Sequence, residues 1–101
     1  MFQLIILAQL KEGADPLPLM EFLRAELPRQ VPTVRRSEVR EDLGLTKHLG
    51  HNATFCWIVD FDDQAGWQVY RDSAAHDTLC ELLFPVAEQY LATQTIVEVE
   101  G

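Results

Sequence analysis

The sequence predicts an α+β domain whose strands and helices follow one another in the order βαββαβ, and three observations carry that reading. Two runs, Phe2–Leu10 and Thr54–Phe61, are dense in aliphatic, aromatic and β-branched residues at strand spacing. Helix-spaced segments follow each of them, introduced by residues that cap helices. Two alternating stretches, Val34–Leu43 and Thr93–Glu100, supply the remaining strands. With 101 residues, 48% of them hydrophobic, the chain has apolar material for one core and lacks the length for two, so residues 1–101 are expected to form a single domain.

In Phe2–Leu10 the residues Leu4, Ile6, Ala8 and Leu10 share one face while Ile5 and Leu7 make the other apolar too, so both sides of this strand call for a cover. Lys11-Glu12-Gly13-Ala14 is a turn, after which Asp15 can cap a helix with Pro16 at its first position. Leu19, Met20, Leu23 and Leu27 recur at helical spacing, and Pro28 and Pro32 are expected to stop the helix at about Glu26. Val34–Leu43 carries Arg35, Arg36, Glu38, Arg40 and Glu41, so this strand is expected to be partly solvated or to lie at an edge. The stretch from Gly44 to Asn52 has two glycines and no period, and is a loop.

In the third strand Phe55, Trp57, Val59 and Phe61 fall on one face. Asp62 or Asp63 can cap a short helix bearing Ala65, Trp67, Val69 and Tyr70, and Ser73 can cap another from about Ala74. In that last helix Leu79, Cys80, Leu83, Val86 and Tyr90 form an apolar stripe, which Pro85 should kink or cut. The element order is that of a ferredoxin-like subunit, with helices on one face of an antiparallel sheet. Nothing in the chain remains to cover the other face, so a second copy packed sheet to sheet is expected, giving a homodimeric α/β barrel.

Sixteen acidic against eight basic residues leave a net charge of -8, which repels a phosphate backbone or an anionic bilayer and argues against nucleic acid or membrane as partner. The longest apolar run is too short to span a bilayer, and the opening segment lacks the basic start and cleavage site of a signal peptide. Two cysteines without dense spacing fit a reducing, cytoplasmic setting.

Val59-Asp60-Phe61-Asp62-Asp63, then Tyr70-Arg71-Asp72-Ser73-Ala74-Ala75-His76, then Pro85-Val86, together with the first strand running into Lys11-Glu12-Gly13-Ala14, resemble the stress-responsive dimeric α/β-barrel (Dabb) family over nearly the whole chain. The resemblance implies a ferredoxin-like subunit and an obligate homodimer. It implies no single reaction, since members include plant stress-induced proteins and a plant polyketide cyclase in which a Tyr and a His of this motif act on the substrate. Tyr70 and His76 match those two positions. Where the family usually has a first-strand His this chain has Leu4, and where the cyclase has a third-strand pocket His it has Phe55, departures that count against the same polyketide substrate.

A His at the start of a helix feels the positive end of the dipole and is held neutral, fit to accept a proton. His76 is thus a candidate general base with Tyr70 polarising a carbonyl; alternatively, His76 locks the corner between two helices and Tyr70 packs beneath it. Phe55, Trp57 and Trp67 are candidates to line a pocket for an apolar or aromatic molecule, or else belong to the core. His48 and His51 lack the further ligands a metal needs, Asp60 is read as facing water, and Cys56 and Cys80 as buried and inert, so no metal or cofactor is expected. Two functions remain open: a homodimer binding a small apolar molecule, or a cofactor-free enzyme, cyclase or monooxygenase-like, using His76 and Tyr70.

Overall fold

The computed structural model describes residues 1–98; Val99 and Glu100, placed in the last strand above, lie outside them. Four strands, β1 (Phe2–Leu10), β2 (Val34–Glu41), β3 (Phe55–Phe61) and β4 (Ala87–Ile96), form one sheet in the order β2-β3-β1-β4. Every neighbouring pair is antiparallel, which is the ferredoxin-like topology. The charged strand β2 is an edge, as its sequence predicts.

Helix α1 follows β1 and extends beyond the expected stop at Glu26. It runs as α-helix over Leu17–Glu21, as π-helix over Phe22–Glu26 and as α-helix again over Leu27–Gln30. The Leu27 N–H reaches back to the Phe22 carbonyl, a five-residue step that widens the turn. Pro28, with no N–H to give, fits after this widened turn and so fails to end the helix. Asp15 caps the start by accepting from the Leu17 N–H at 3.1 Å.

After β3 come α2 (Gln64–Arg71) and α3 (Ala74–Leu83). Of the two candidate caps for α2 the structure uses Asp63, whose carboxylate accepts from the Gly66 N–H, while Asp62 pairs with Arg35 at 2.8 Å. Pro85 cuts α3 rather than kinking it. Val86 therefore sits in the connection and Tyr90 on β4, not on the helical stripe, because the Lys11 N–H bonds the Val86 carbonyl at 2.8 Å and β1 then pairs with the chain from Ala87 on. The last strand accordingly begins well before Thr93.

The helices cover one face of the sheet. Leu4, Ile6, Ala8 and Leu10 of β1 and Phe55, Trp57, Val59 and Phe61 of β3 pack beneath them with Met20, Leu23, Leu27 and Leu79. The core lies over β1 and β3, and β4 is exposed along nearly all its length. The opposite face presents Ile5, Leu7, Ile58 and Leu91 toward the centre and Arg36, Glu38 and Arg40 along the β2 edge, as the pairing of Ile5 with Ile58 and of Leu7 with Leu91 and Cys56 requires. Asp60, on this face, does not face water: it is 5% exposed, accepts from Gln3 Nε2 at 2.9 Å and pairs with Arg36 Nε at 2.8 Å. Burial of a carboxylate demands such partners. Among the described residues no helix is long and apolar enough to cross a membrane.

Candidate functional site

Because the helices leave β4 bare, a cleft of about 460 Å³ opens between α2 and α3 on one side and β1 and β4 on the other. Leu4 and Ile6 form its floor, Trp67, Leu79 and Leu83 its flank, and Phe84 and Tyr90, stacked at 5.9 Å between ring centres, its apolar rim. Tyr70, Arg71, His76, Asp77, Cys80 and Gln94 supply the polar groups. A hollow that sets polar groups against an apolar wall can hold a small molecule by both.

One serine sets the corner between the helices. Ser73 Oγ donates to the Tyr70 carbonyl at 2.6 Å and accepts from the His76 N–H at 3.2 Å, so the ends of α2 and α3 are tied through one side chain. That tie brings the Tyr70 and His76 rings edge to face, 5.2 Å apart. Tyr70 is 3% exposed and packs against Trp57 and Phe61 at 5.8 Å each. No protein group among the described residues bonds its hydroxyl, yet no sealed side-chain polar atom lacks a partner, so the hydroxyl opens on the cleft. Burial pushes its pKa well above the usual phenol range, and the phenol is a hydrogen-bond donor.

His76 is half-buried, and its Nδ1 lies 3.8 Å from Cys80 Sγ. Burial foremost, then the charge of Arg71, lowers its pKa from the ordinary 6.5, against the pull of Asp77 and Asp72. Well above pH 6.5 the ring is neutral in folded and unfolded chains alike. As the pH falls through that value the unfolded chain takes up the proton first, so the folded state loses stability. His76→Gln is expected to remove this part of the loss, read as a flatter dependence of the urea midpoint between about pH 7 and 5; an unchanged slope would show that the ring is not desolvated.

Of the aromatic candidates, Trp67 joins Tyr70 and His76 at the cleft. Phe55 and Trp57 are core residues outside its lining, and the Trp57 indole is spent on Ser37 Oγ at 2.7 Å. Cys56 and Cys80 are half-buried rather than sealed, and Cys80 borders the cleft. The i, i+4 spacing of His76 and Cys80 on one helix was the available signal for that neighbour. Phe84, Tyr90 and Gln94 had none, since only the pairing of β4 with β1 brings them there. His48 and His51 are exposed in the loop, and among the described residues no three His, Cys, Asp or Glu side chains are grouped to hold a metal.

The model of the stress responsive A/B barrel domain (Dabb) matches residues 3–99. The chain belongs to this family. Leu4 forms part of the cleft floor of this Dabb domain. Similar solved structures include a dimeric ferredoxin-like protein of unknown function from Thermobifida fusca, 21% identical, with a TM-score of 0.79 over 95% of this chain and 90% of the other. The hydroxynitrile lyase from Passiflora edulis is 14% identical with a TM-score of 0.80, over 99% and 95%. An antibiotic biosynthesis monooxygenase is 19% identical with a TM-score of 0.76, over 98% and 100%. No curated protein matches the chain.

Proposed function

We propose that this Dabb domain is a homodimer, joined through the open sheet face, whose cleft binds a small apolar or aromatic molecule bearing a carbonyl group. The observation that carries the binding is the Tyr70 hydroxyl, without a protein partner among the described residues, in a cleft where Leu4, Ile6, Trp67 and Leu79 supply apolar wall. A carbonyl oxygen is the acceptor such a donor lacks, and the apolar wall favours an apolar body. The Thermobifida fusca relative is described as dimeric, which supports the pairing.

A second reading, cofactor-free catalysis, is favoured by the His76 ring, its pKa lowered by burial, packed edge to face on the Tyr70 ring. With the carbonyl held on Tyr70, His76 would take a proton from the adjacent carbon while the phenol stabilises the enolate oxygen. The fold houses both a lyase and a monooxygenase in the proteins named above, so it accommodates enzymes without choosing among reactions.

Acetophenone tests both readings. Added to the isotope-labelled protein, it is expected to shift the NMR signals of the Trp67 indole, His76 and Tyr90, and Tyr70→Phe is expected to weaken its binding by about tenfold, the worth of one hydrogen bond. Shifts scattered away from the cleft would overturn the site. If His76 is a base, the methyl protons of acetophenone exchange in heavy water faster with protein than without, and His76→Gln lowers that rate by about 10²-fold or more. Binding without accelerated exchange would leave a binding protein and end the enzyme reading.

A further inference from the structure

Cys80 stands one helical turn after His76 on α3, with its Sγ 3.8 Å from His76 Nδ1, and both side chains border the cleft. The sulfur is half-buried and in no disulfide. On the neighbouring wall stands Tyr70, only 3% exposed, its hydroxyl without a protein partner among the described residues. A nucleophile, a base and a hydrogen-bond donor for a carbonyl thus line one cleft, and ketone binding leaves the nucleophile unused.

We propose that Cys80 and His76 form a thiol–imidazole pair that adds to small apolar molecules whose carbonyl is conjugated to a carbon–carbon double bond. The thiolate is the reactive form of cysteine, and a neighbouring neutral imidazole generates it by accepting the thiol proton. The 3.8 Å approach of Nδ1 to Sγ is what lets His76 take the proton; burial and Arg71 lower its pKa and favour the free base, and Asp72 and Asp77 favour the imidazolium that forms. In the addition, sulfur bonds to the β-carbon and the double-bond pair moves to the carbonyl oxygen, which the Tyr70 hydroxyl stabilises. The proton held on His76 then passes to the α-carbon as the carbonyl re-forms. The adduct contains every atom of both reactants, and no oxidant, reductant or cofactor is consumed. The inference rests on the proposed cleft admitting a carbonyl guest, but not on proton abstraction from that guest.

N-ethylmaleimide, itself a conjugated carbonyl, serves as the probe on the full-length chain, with peptide mass mapping to read each cysteine. At pH about 6.5 native Cys80 is expected to react about tenfold faster than Cys80 of the urea-unfolded chain, because an unassisted thiol of ordinary pKa is almost wholly protonated there. His76→Gln is expected to abolish that advantage while the circular dichroism spectrum is retained. A native rate no greater than the unfolded rate, or one unaffected by His76→Gln, overturns the pair. Should His76→Gln fail to fold, the pH profile of the natural protein decides. A Cys80 rate nearly flat between about pH 6.5 and 8 supports the pair, and one falling about tenfold per unit overturns it. Acetophenone shifts without enhanced alkylation reject the thiol chemistry alone, whereas enhanced alkylation without acetophenone binding rejects only the site's reading as a ketone-binding cleft.

Discussion

Trp57→Ala is expected to destabilise the protein by about 3 to 5 kcal/mol, a large share of the roughly 5 to 15 kcal/mol that holds a small domain folded. The side chain is fully buried at 0% exposure, so its removal leaves a cavity in the middle of the core. It also removes a relay of hydrogen bonds. The indole Nε1 donates to Ser37 Oγ at 2.7 Å, and that hydroxyl donates to the Leu23 carbonyl at 2.6 Å, tying β3 to β2 and β2 to α1. Tyr70 rests on the edge of the same indole, so the cleft loses its support as well. Urea unfolding followed by circular dichroism measures the loss. Trp67→Ala, at a half-buried side chain bordering the cleft, is expected to cost about 1 to 2 kcal/mol, nearer the common run of substitutions. Equal costs for the two tryptophans would contradict the assignment of Trp57 to the core and Trp67 to the site.

Leu7→Asp is expected to turn the proposed dimer into a monomer. Leu7 is 44% exposed at the centre of the open sheet face, between Cys56 and Leu91, itself 71% exposed. Apolar side chains presented together on a sheet call for a cover, and a two-fold axis would place each substitution in the interface twice. Two carboxylates taken out of water without partners cost several kcal/mol each, enough to raise the dissociation constant by about 10³-fold or more. Sedimentation equilibrium is expected to give twice 11.5 kDa for the natural chain and 11.5 kDa for the variant. Leu49→Asp, in the exposed loop, is expected to leave the dimer intact. A natural chain that sediments as a monomer at micromolar concentration overturns the pairing.

What proved legible in the sequence was local. Period-two alternation in Phe2–Leu10 and Phe55–Phe61 marks strands because successive side chains must point to opposite faces, and both strands lie where that pattern puts them. Ser73, and one or other of Asp62 and Asp63, are readable as caps because a cap acts on N–H groups within three residues of itself; the structure chose Asp63. Tyr70 and His76 are near in sequence and share one corner, so their meeting follows from Ser73. Pro28 misled because a rule for α-helices does not hold past a π-turn, and helical wrapping of Leu23 and Leu27 onto the sheet rewards that turn.

The amino-acid order by itself determined the βαββαβ succession of elements, the two capped helices after β3 and the Tyr70–His76 corner, all set by interactions that span a few residues or by an unmistakable strand period. Only the tertiary structure decided which side chains form the site. Tyr90 and Gln94 reach the cleft, Trp57 leaves it and Asp60 turns out buried because the antiparallel pairing of β1 with β4, β3 and the β2 edge beyond it determines which face each strand turns to the helices. That pairing joins residues as distant as Phe2 and Ile96, and no local pattern encodes it.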